Sequence, residues 1–169
     1  TFTIAPPKIV TMTGQTVCVS VNVVDFTDII ATKFSIRWDS SVLSSPMVMG
    51  LNASVTGLDM GDIVVNAANG YLTFNWSNGL PCQTAQTGVT LPDGASLFQI
   101  CFTANGQYGK HTPVKITNSP MDRYVTRINS NCNDIGEYVN DGFISIGTPP
   151  LTVNVSSVDG FTDDVVCVD

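Results

Sequence analysis

Apolar and polar residues alternate one by one through six stretches of the chain. Val17, Val19, Val21 and Val23 fall on one side of the first, with Cys18, Ser20 and Asn22 on the other. Phe34, Ile36 and Trp38 alternate with Lys33, Ser35 and Arg37, and Leu72, Phe74 and Trp76 with Tyr71, Thr73 and Asn75. Phe98, Ile100 and Phe102 alternate with Gln99, Cys101 and Thr103. Val114 and Ile116 flank Lys115, and Ile144 and Ile146 flank Ser145. A period of two is that of a strand with one buried face, and no stretch shows a capped 3.6-residue period. Weaker strands are expected at 2–10, 46–51 and 62–67. Turns are expected at Asp39-Ser40-Ser41, Asn69-Gly70, Asn78-Gly79, Pro92-Asp93-Gly94, Asn105-Gly106 and Asp141-Gly142. About nine short strands cannot each bury an apolar face alone, which predicts an all-β sandwich of two antiparallel sheets. Its core should hold Val19, Val21, Phe34, Ile36, Phe74, Phe98, Ile100 and Phe102.

The 169 residues suit one domain. A hydrophobic share of 43% against 12% charged residues excludes a disordered chain. No apolar run approaches the ~20 residues of a membrane-spanning helix, so no membrane insertion is expected. Seven basic and fourteen acidic residues give a net charge of −7. The basic residues are scattered along the sequence, which argues against nucleic acid and against an anionic membrane surface. The sequence starts without Met and without a basic-then-apolar leader, as expected of a mature or excised piece.

The last residues repeat the first. After Gly147-Thr148-Pro149-Pro150 a new alternation begins with Leu151, Val153 and Val155. A shift of 149 places Phe2-Thr3-Ile4 on Leu151-Thr152-Val153, and Val17-Cys18-Val19 on Val166-Cys167-Val168. Five of the nineteen positions 2–20 are identical at this offset (Thr3, Thr13, Val17, Cys18 and Val19). A Cys inside a repeated Val-Cys-Val strand predicts a domain over 1–147, then a linker and the first strands of a following repeat over 148–169.

Five stretches, in order, resemble the cohesin-like domains of bacterial extracellular proteins. They are Gly14 to Val21, Thr32 to Leu43, Gly70 to Trp76, Leu97 to Phe102 and Asp141 to Ile146. The Cys-bearing version, with Gly88-Val89-Thr90-Leu91-Pro92-Asp93-Gly94 before Leu97, resembles repeats of large surface or secreted proteins of Bacteroidetes-type bacteria. The resemblance implies a flattened jelly roll and a non-catalytic role in recognition or scaffolding. It does not carry over a cellulosomal dockerin as partner.

Cys18, Cys82, Cys101 and Cys132 lie inside the unit, and Cys167 is the second copy's equivalent of Cys18. No C-x-x-C pair suggests zinc. Four cysteines allow three pairings, and free buried thiols are the other reading. The topology implied by the resemblance sets the strands of Cys18 and Cys101 side by side. That favours a Cys18–Cys101 bridge, leaves Cys82–Cys132 as the second, and implies an oxidising, extracellular setting.

Material for catalysis is sparse. His111 sits in a Gly-Lys-His-Thr-Pro stretch that reads as a solvated turn, and Asp39 before Ser40-Ser41 reads as a turn former. Asp59 and Asp62 bracket Gly61 in another turn. No catalytic residue and no cofactor is expected. Calcium is a minor expectation, either in the loop of Asn129, Asn131, Asn133, Asp134 and Glu137 or at Asp159, Asp163 and Asp164. Trp38 and Trp76 fall on apolar faces and read as core, whereas Tyr71, Tyr108, Tyr124 and Tyr138 read as exposed. Asn52, Asn75 and Asn154 begin sequons.

These features predict a structural or adhesive module of an extracellular repeat protein or filament. Its partners would be other copies, neighbouring repeats, or another surface protein or glycan. The alternative is a carbohydrate-binding module of a secreted polysaccharide-degrading protein. The strand of Leu151, Val153 and Val155 is expected to add to a neighbouring copy in place of its first strand, at Phe2 and Ile4. Such a head-to-tail contact would grow fibres rather than close; a floppy remnant is the competing reading of 148–169.

Overall fold

A computed structural model of the chain describes residues 3–81, 86–128, 133–136 and 138–147. Its strands are β1 (Thr3–Ala5), β2 (Lys8–Thr11), β3 (Thr16–Val24), β4 (Ile29–Arg37), β5 (Leu43–Met49) and β6 (Ile63–Asn66). They continue with β7 (Tyr71–Ser77), β8 (Ser96–Ala104), β9 (His111–Thr117), β10 (Tyr124–Arg127), β11 (Tyr138–Val139) and β12 (Gly142–Ile146). A 3-10 turn, Met60–Asp62, is capped by the carboxylate of Asp59, which accepts from the Gly61 N–H.

Two sheets stack as the alternation requires. One has the order β11-β1-β3-β8-β5, the other β2-β12-β9-β4-β7-β6, with β10 also on β4. All eight residues expected in the core are buried. Phe34 and Phe74 meet at 4.9 Å between ring centroids within one sheet, and Phe74 stacks on Phe98 of the other at 5.2 Å. Such contacts tie the layers together, each worth about 0.5–1.5 kcal/mol beyond burial.

The strand expected over 2–10 is two strands. Pro6 and Pro7 fall between β1 and β2, where two missing N–H groups interrupt any ladder, and the chain crosses there from one sheet to the other. This split, with β10 and β11, raises the nine expected strands to twelve among the described residues. Asn69-Gly70 closes the β6–β7 hairpin. Gly70 has φ 62°, and a Cβ there would stand 2.3 Å from the Trp38 carbonyl oxygen. Only glycine satisfies both conditions.

β9 and β10 share one edge of β4 in succession: β9 pairs Ser35 to Arg37, and β10 pairs Ile29 to Lys33. β4 therefore lies inside its sheet along its whole length, with β7 on the other edge.

The described chain starts and ends at opposite poles. Thr3 pairs with Val24 at the end of β3. Ile146 pairs with Thr11, and the Gly147 N–H donates to the Thr11 carbonyl, beside the loop that leads into β3. The nine residues of β3 separate the two poles, roughly 30 Å at ~3.4 Å per residue.

Candidate recognition surfaces

The outward positions of the larger sheet form one broad face. They are Lys8 and Val10 on β2, Phe143 and Ser145 on β12, and His111, Pro113, Lys115 and Thr117 on β9. Lys33, Ser35 and Arg37 follow on β4, Tyr71, Thr73 and Asn75 on β7, and Val64 and Asn66 on β6. Four of the chain's seven basic residues lie here, and none of its fourteen carboxylates lies on these strands. The basic residues scatter along the sequence but gather in space, because cross-strand pairing aligns Arg37 with Lys115 and Tyr71.

Three of these four cations have partners in the fold. The Arg37 guanidinium lies 5.4 Å from the centre of the Tyr71 ring, and its Nε donates to the Ser119 carbonyl at 2.9 Å. Lys33 Nζ lies 5.5 Å from the Tyr124 ring, and Lys115 Nζ 3.9 Å from an Asp141 oxygen. The Tyr71 hydroxyl accepts from Asn66. A hollow of ≈ 250 Å³ opens between Arg37, Trp38, Asp39, Thr112, Pro113 and Lys115. Preorganised charge of this kind suits recognition, because little side-chain freedom is left to lose on binding.

The smaller sheet carries the disulfide. Cys18 and Cys101 are cross-strand partners on β3 and β8 and are joined, with Cα atoms 3.9 Å apart. They lie on the outer side of the sheet, but only Cys18 is exposed. Cys101 is buried, because Met49 of β5 covers it with its Sδ 3.5 Å from Cys101 Sγ. Cys82, Cys132 and Cys167 lie outside the described residues, as do Phe2, Leu151, Val153 and Val155. Ile4 is fully buried in β1, between β3 on one side and β11 on the other. The place of the first strand is therefore occupied on both edges by the chain itself.

The remaining candidates are placed as follows. His111 starts β9 instead of lying in a turn, and its ring stacks on Phe143 at 5.1 Å. Asp39 serves its own turn. The Ser41 hydroxyl donates to its carboxylate at 2.6 Å and the Ser41 N–H at 2.8 Å. These bonds, aided by Lys110, hold the carboxyl below the ordinary aspartate range. Asp134, the one acid described in the expected calcium loop, accepts from the Val125 and Gly136 N–H groups at a single carboxylate oxygen, as a residue that shapes its own loop does. Asn129, Asn131, Glu137, Asp159, Asp163 and Asp164 lie outside the described residues. No cluster of metal-ligating residues occurs among the described ones. Trp38 and Trp76 are buried. Tyr71 and Tyr124 are half-buried and Tyr108 is exposed, while the Tyr138 side chain lies outside the description.

A second hollow of ≈ 420 Å³ lies at the pole of Thr3. Hydroxyl and amide side chains line it, among them Ser54, Thr56, Asn78, Thr87 and Thr90.

No protein-family model and no curated protein matches the sequence. Solved structures do match. The seventh ScaB type I cohesin of Pseudobacteroides cellulosolvens gives a TM-score of 0.70 at 16% identity, over 92% of this chain and 98% of that one. The OlpA cohesin of Clostridium thermocellum, solved in complex with the Doc918 dockerin, gives 0.67 at 14% identity, over 86% and 99%. A non-cellulosomal cohesin from the archaeon Archaeoglobus fulgidus gives 0.61 at 13% identity, over 87% and 91%. Three cohesins from distant sources cover this chain almost end to end, and the chain has the cohesin fold.

Proposed function

We propose that this chain is a non-catalytic protein-recognition module of an extracellular protein, and that the outer face of its larger sheet takes an acidic protein surface. The observation that carries the reading is the segregation of charge: Lys8, Lys33, Arg37 and Lys115 share one face of a chain whose net charge is −7. The remainder of the chain, with fourteen acidic residues against three basic ones, is net acidic and steers an acidic partner towards this face. Dockerins are the partners in solved complexes of similar fold, and a dockerin is one natural probe. The Cys18–Cys101 bond supports an oxidising location.

The module suits serial repetition, in which 148–169 opens the next copy. Entry and exit at opposite poles extend such a series without doubling back. Strand addition by Leu151, Val153 and Val155 at the place of Ile4 would exchange with β1, since β1 is already paired on both edges.

Titration with poly-L-glutamate as a minimal acidic probe, followed by amide NMR shifts, tests the face. Shifts are expected along β4, β7 and β9, weakening as salt rises and disappearing in Lys33→Glu/Arg37→Glu. Shifts confined to the smaller sheet, or unchanged by charge reversal, would overturn the reading.

A glycan-binding reading is kept for one observation, the hydroxyl- and amide-lined hollow at Ser54, Thr56 and Asn78. A glycan array decides it: binding lost in Asn78→Ala supports it, and no binding removes it.

A further inference from the structure

Every second N–H and C=O of an outermost strand points away from its sheet, so sheet edges are where a sandwich is open to other chains. Among the described residues, β2, β5, β6, β10 and β11 each pair on one side only. Four of these edges are guarded. Along β10 the Val125 N–H donates to the Asp134 carboxylate and the Val125 carbonyl accepts from the Ile135 N–H, so the 134–135 segment covers that edge. β5 carries Pro46, and its ladder breaks between Ser44 and Met47, with Ser45 at φ 49°. β2 follows Pro6-Pro7 and carries the exposed Lys8. β11 is two residues long. β6 has no such guard. It reads Ile63-Val64-Val65-Asn66, without charge, proline or a shift in its register against β7. Val64 is 62% exposed, Val65 37% and the neighbouring Met60 53%.

The register against β7 assigns the two faces. Ile63 and Val65 pair with the buried Phe74 and Leu72, so both lie on the core side. Val64 and Asn66 pair with Thr73 and Tyr71 on the outer side. Val65 is thus a core-side residue left open because no described strand lies beyond it.

We propose that β6 is a self-association edge, at which two copies of this chain pair β6 to β6, antiparallel, across a two-fold axis at Val64. Residues directly opposite in an antiparallel pair share a face of the sheet. An axis at Val64 sets Val64 against Val64 of the second copy on the outer face. On the core side it sets Val65 against Ile63, covering the open residue. A slip of one position would oppose outward Val64 to core-side Val65, so the faces exclude it. A slip of two keeps the faces but sets Val64 against the Asn66 amide and leaves Ile63 without an apolar partner on β6.

Charge selects a second copy in this orientation. Copies carrying −7 repel one another in general, and β6 is an edge strand that itself carries no charge. The nearest carboxylates, Asp59 and Asp62, both precede β6. Antiparallel pairing sends the two copies' acids to opposite ends of the ladder and sets Asp62 opposite the Asn66 amide. Parallel pairing would set Asp62 beside Asp62. The contact is isologous and closes as a pair. A four-residue ladder falls well short of the roughly 1,200 Å² at which stable pairs begin. Single units therefore associate weakly, while units in series gain strength from many ladders at once. β6 is the outermost strand of the face that carries the four cations, but none of them lies on β6 and the pairing does not use them.

Single-cysteine capture tests the register. Val64→Cys, Val65→Cys and Tyr108→Cys are oxidised at equal concentration in a glutathione buffer, and cross-linked peptides are mapped, with the unsubstituted chain as background. Tyr108, 70% exposed in a loop, reports random collision. Position 64 is expected to link to itself about tenfold faster than either other position, because only there do the axis and the ~4.5–5.5 Å spacing of opposed residues coincide. Val64→Lys, at an exposed site that keeps the fold, is expected to abolish concentration-dependent sedimentation. Equal rates at all three positions, faster linking at 65, or a strict monomer at millimolar concentration would overturn the proposal.

Discussion

The Ser35 hydroxyl and the Met121 backbone exchange two hydrogen bonds. Ser35 Oγ donates to the Met121 carbonyl at 3.1 Å and accepts from the Met121 N–H at 2.9 Å. Ser35 is an outward position of β4, yet it is fully buried, because the 118–123 turn between β9 and β10 folds over it. The bonds satisfy backbone groups at the gap between two strands that share one edge of β4. Ser35→Ala strands both groups and is expected to cost about 1–3 kcal/mol in urea denaturation. A change within error would show that the turn does not depend on this residue.

Cys18–Cys101 closes a loop of sequence separation 83. The Cys18→Ser/Cys101→Ala protein should lose about 2–4 kcal/mol, as for other native bridges. Non-reducing peptide mapping of the unsubstituted protein checks the pairing, and tests Cys82–Cys132 as the expected second bridge.

The two tryptophans should respond differently to loss of the indole N–H. Trp76 Nε1 donates to the Thr56 carbonyl at 3.0 Å, whereas the buried Trp38 Nε1 has no partner among the described residues. Trp76→Phe gives up a bond and orphans Thr56. Trp38→Phe keeps a ring against Phe102, now 5.0 Å away, and removes a donor that burial already penalises. Trp76→Phe should therefore be the more destabilising by about 1 kcal/mol in the same denaturant series.

The lowered pKa of Asp39 fixes the sign of its pH dependence. Its Ser41 bonds favour the carboxylate, so they add stability above the ordinary aspartate value of ~3.9. That contribution is lost as pH falls through the lower folded value. Asp39→Ala should be less stable than the unsubstituted chain at pH 6, with the difference closing towards pH 2. A difference constant across that range would mean that the carboxylate charge plays no part.

Alternation made the sandwich and its core legible, because burial on one face of a strand leaves a period that any reader can count. Val17 to Val23 and Leu72 to Trp76 show it directly. The period fails where geometry between strands decides. Cys101 sits on the polar side of β8, and its burial comes from Met49, on a strand whose alternation is broken at Ser45 and Pro46. Lys8, Lys33, Arg37 and Lys115 look dispersed until pairing aligns them, although alternation had already put Lys33, Arg37 and Lys115 on polar sides. The split at Pro6-Pro7 was readable from proline's missing donors; the choice of a different sheet for each half was not.

Opposite poles place β2 and the last strand, β12, between the two ends of the described chain. β2 and β12 are neighbours and run parallel, from Lys8 beside Phe143 to Thr11 beside Ile146. Tension applied through the two ends draws β2 towards one pole and β12 towards the other, along the strands themselves. The rungs between them are then sheared together instead of being peeled one at a time. The β1–β11 pair, also parallel, lies in the same line of force. Pulled in this way, the domain would meet the force with whole ladders instead of single rungs.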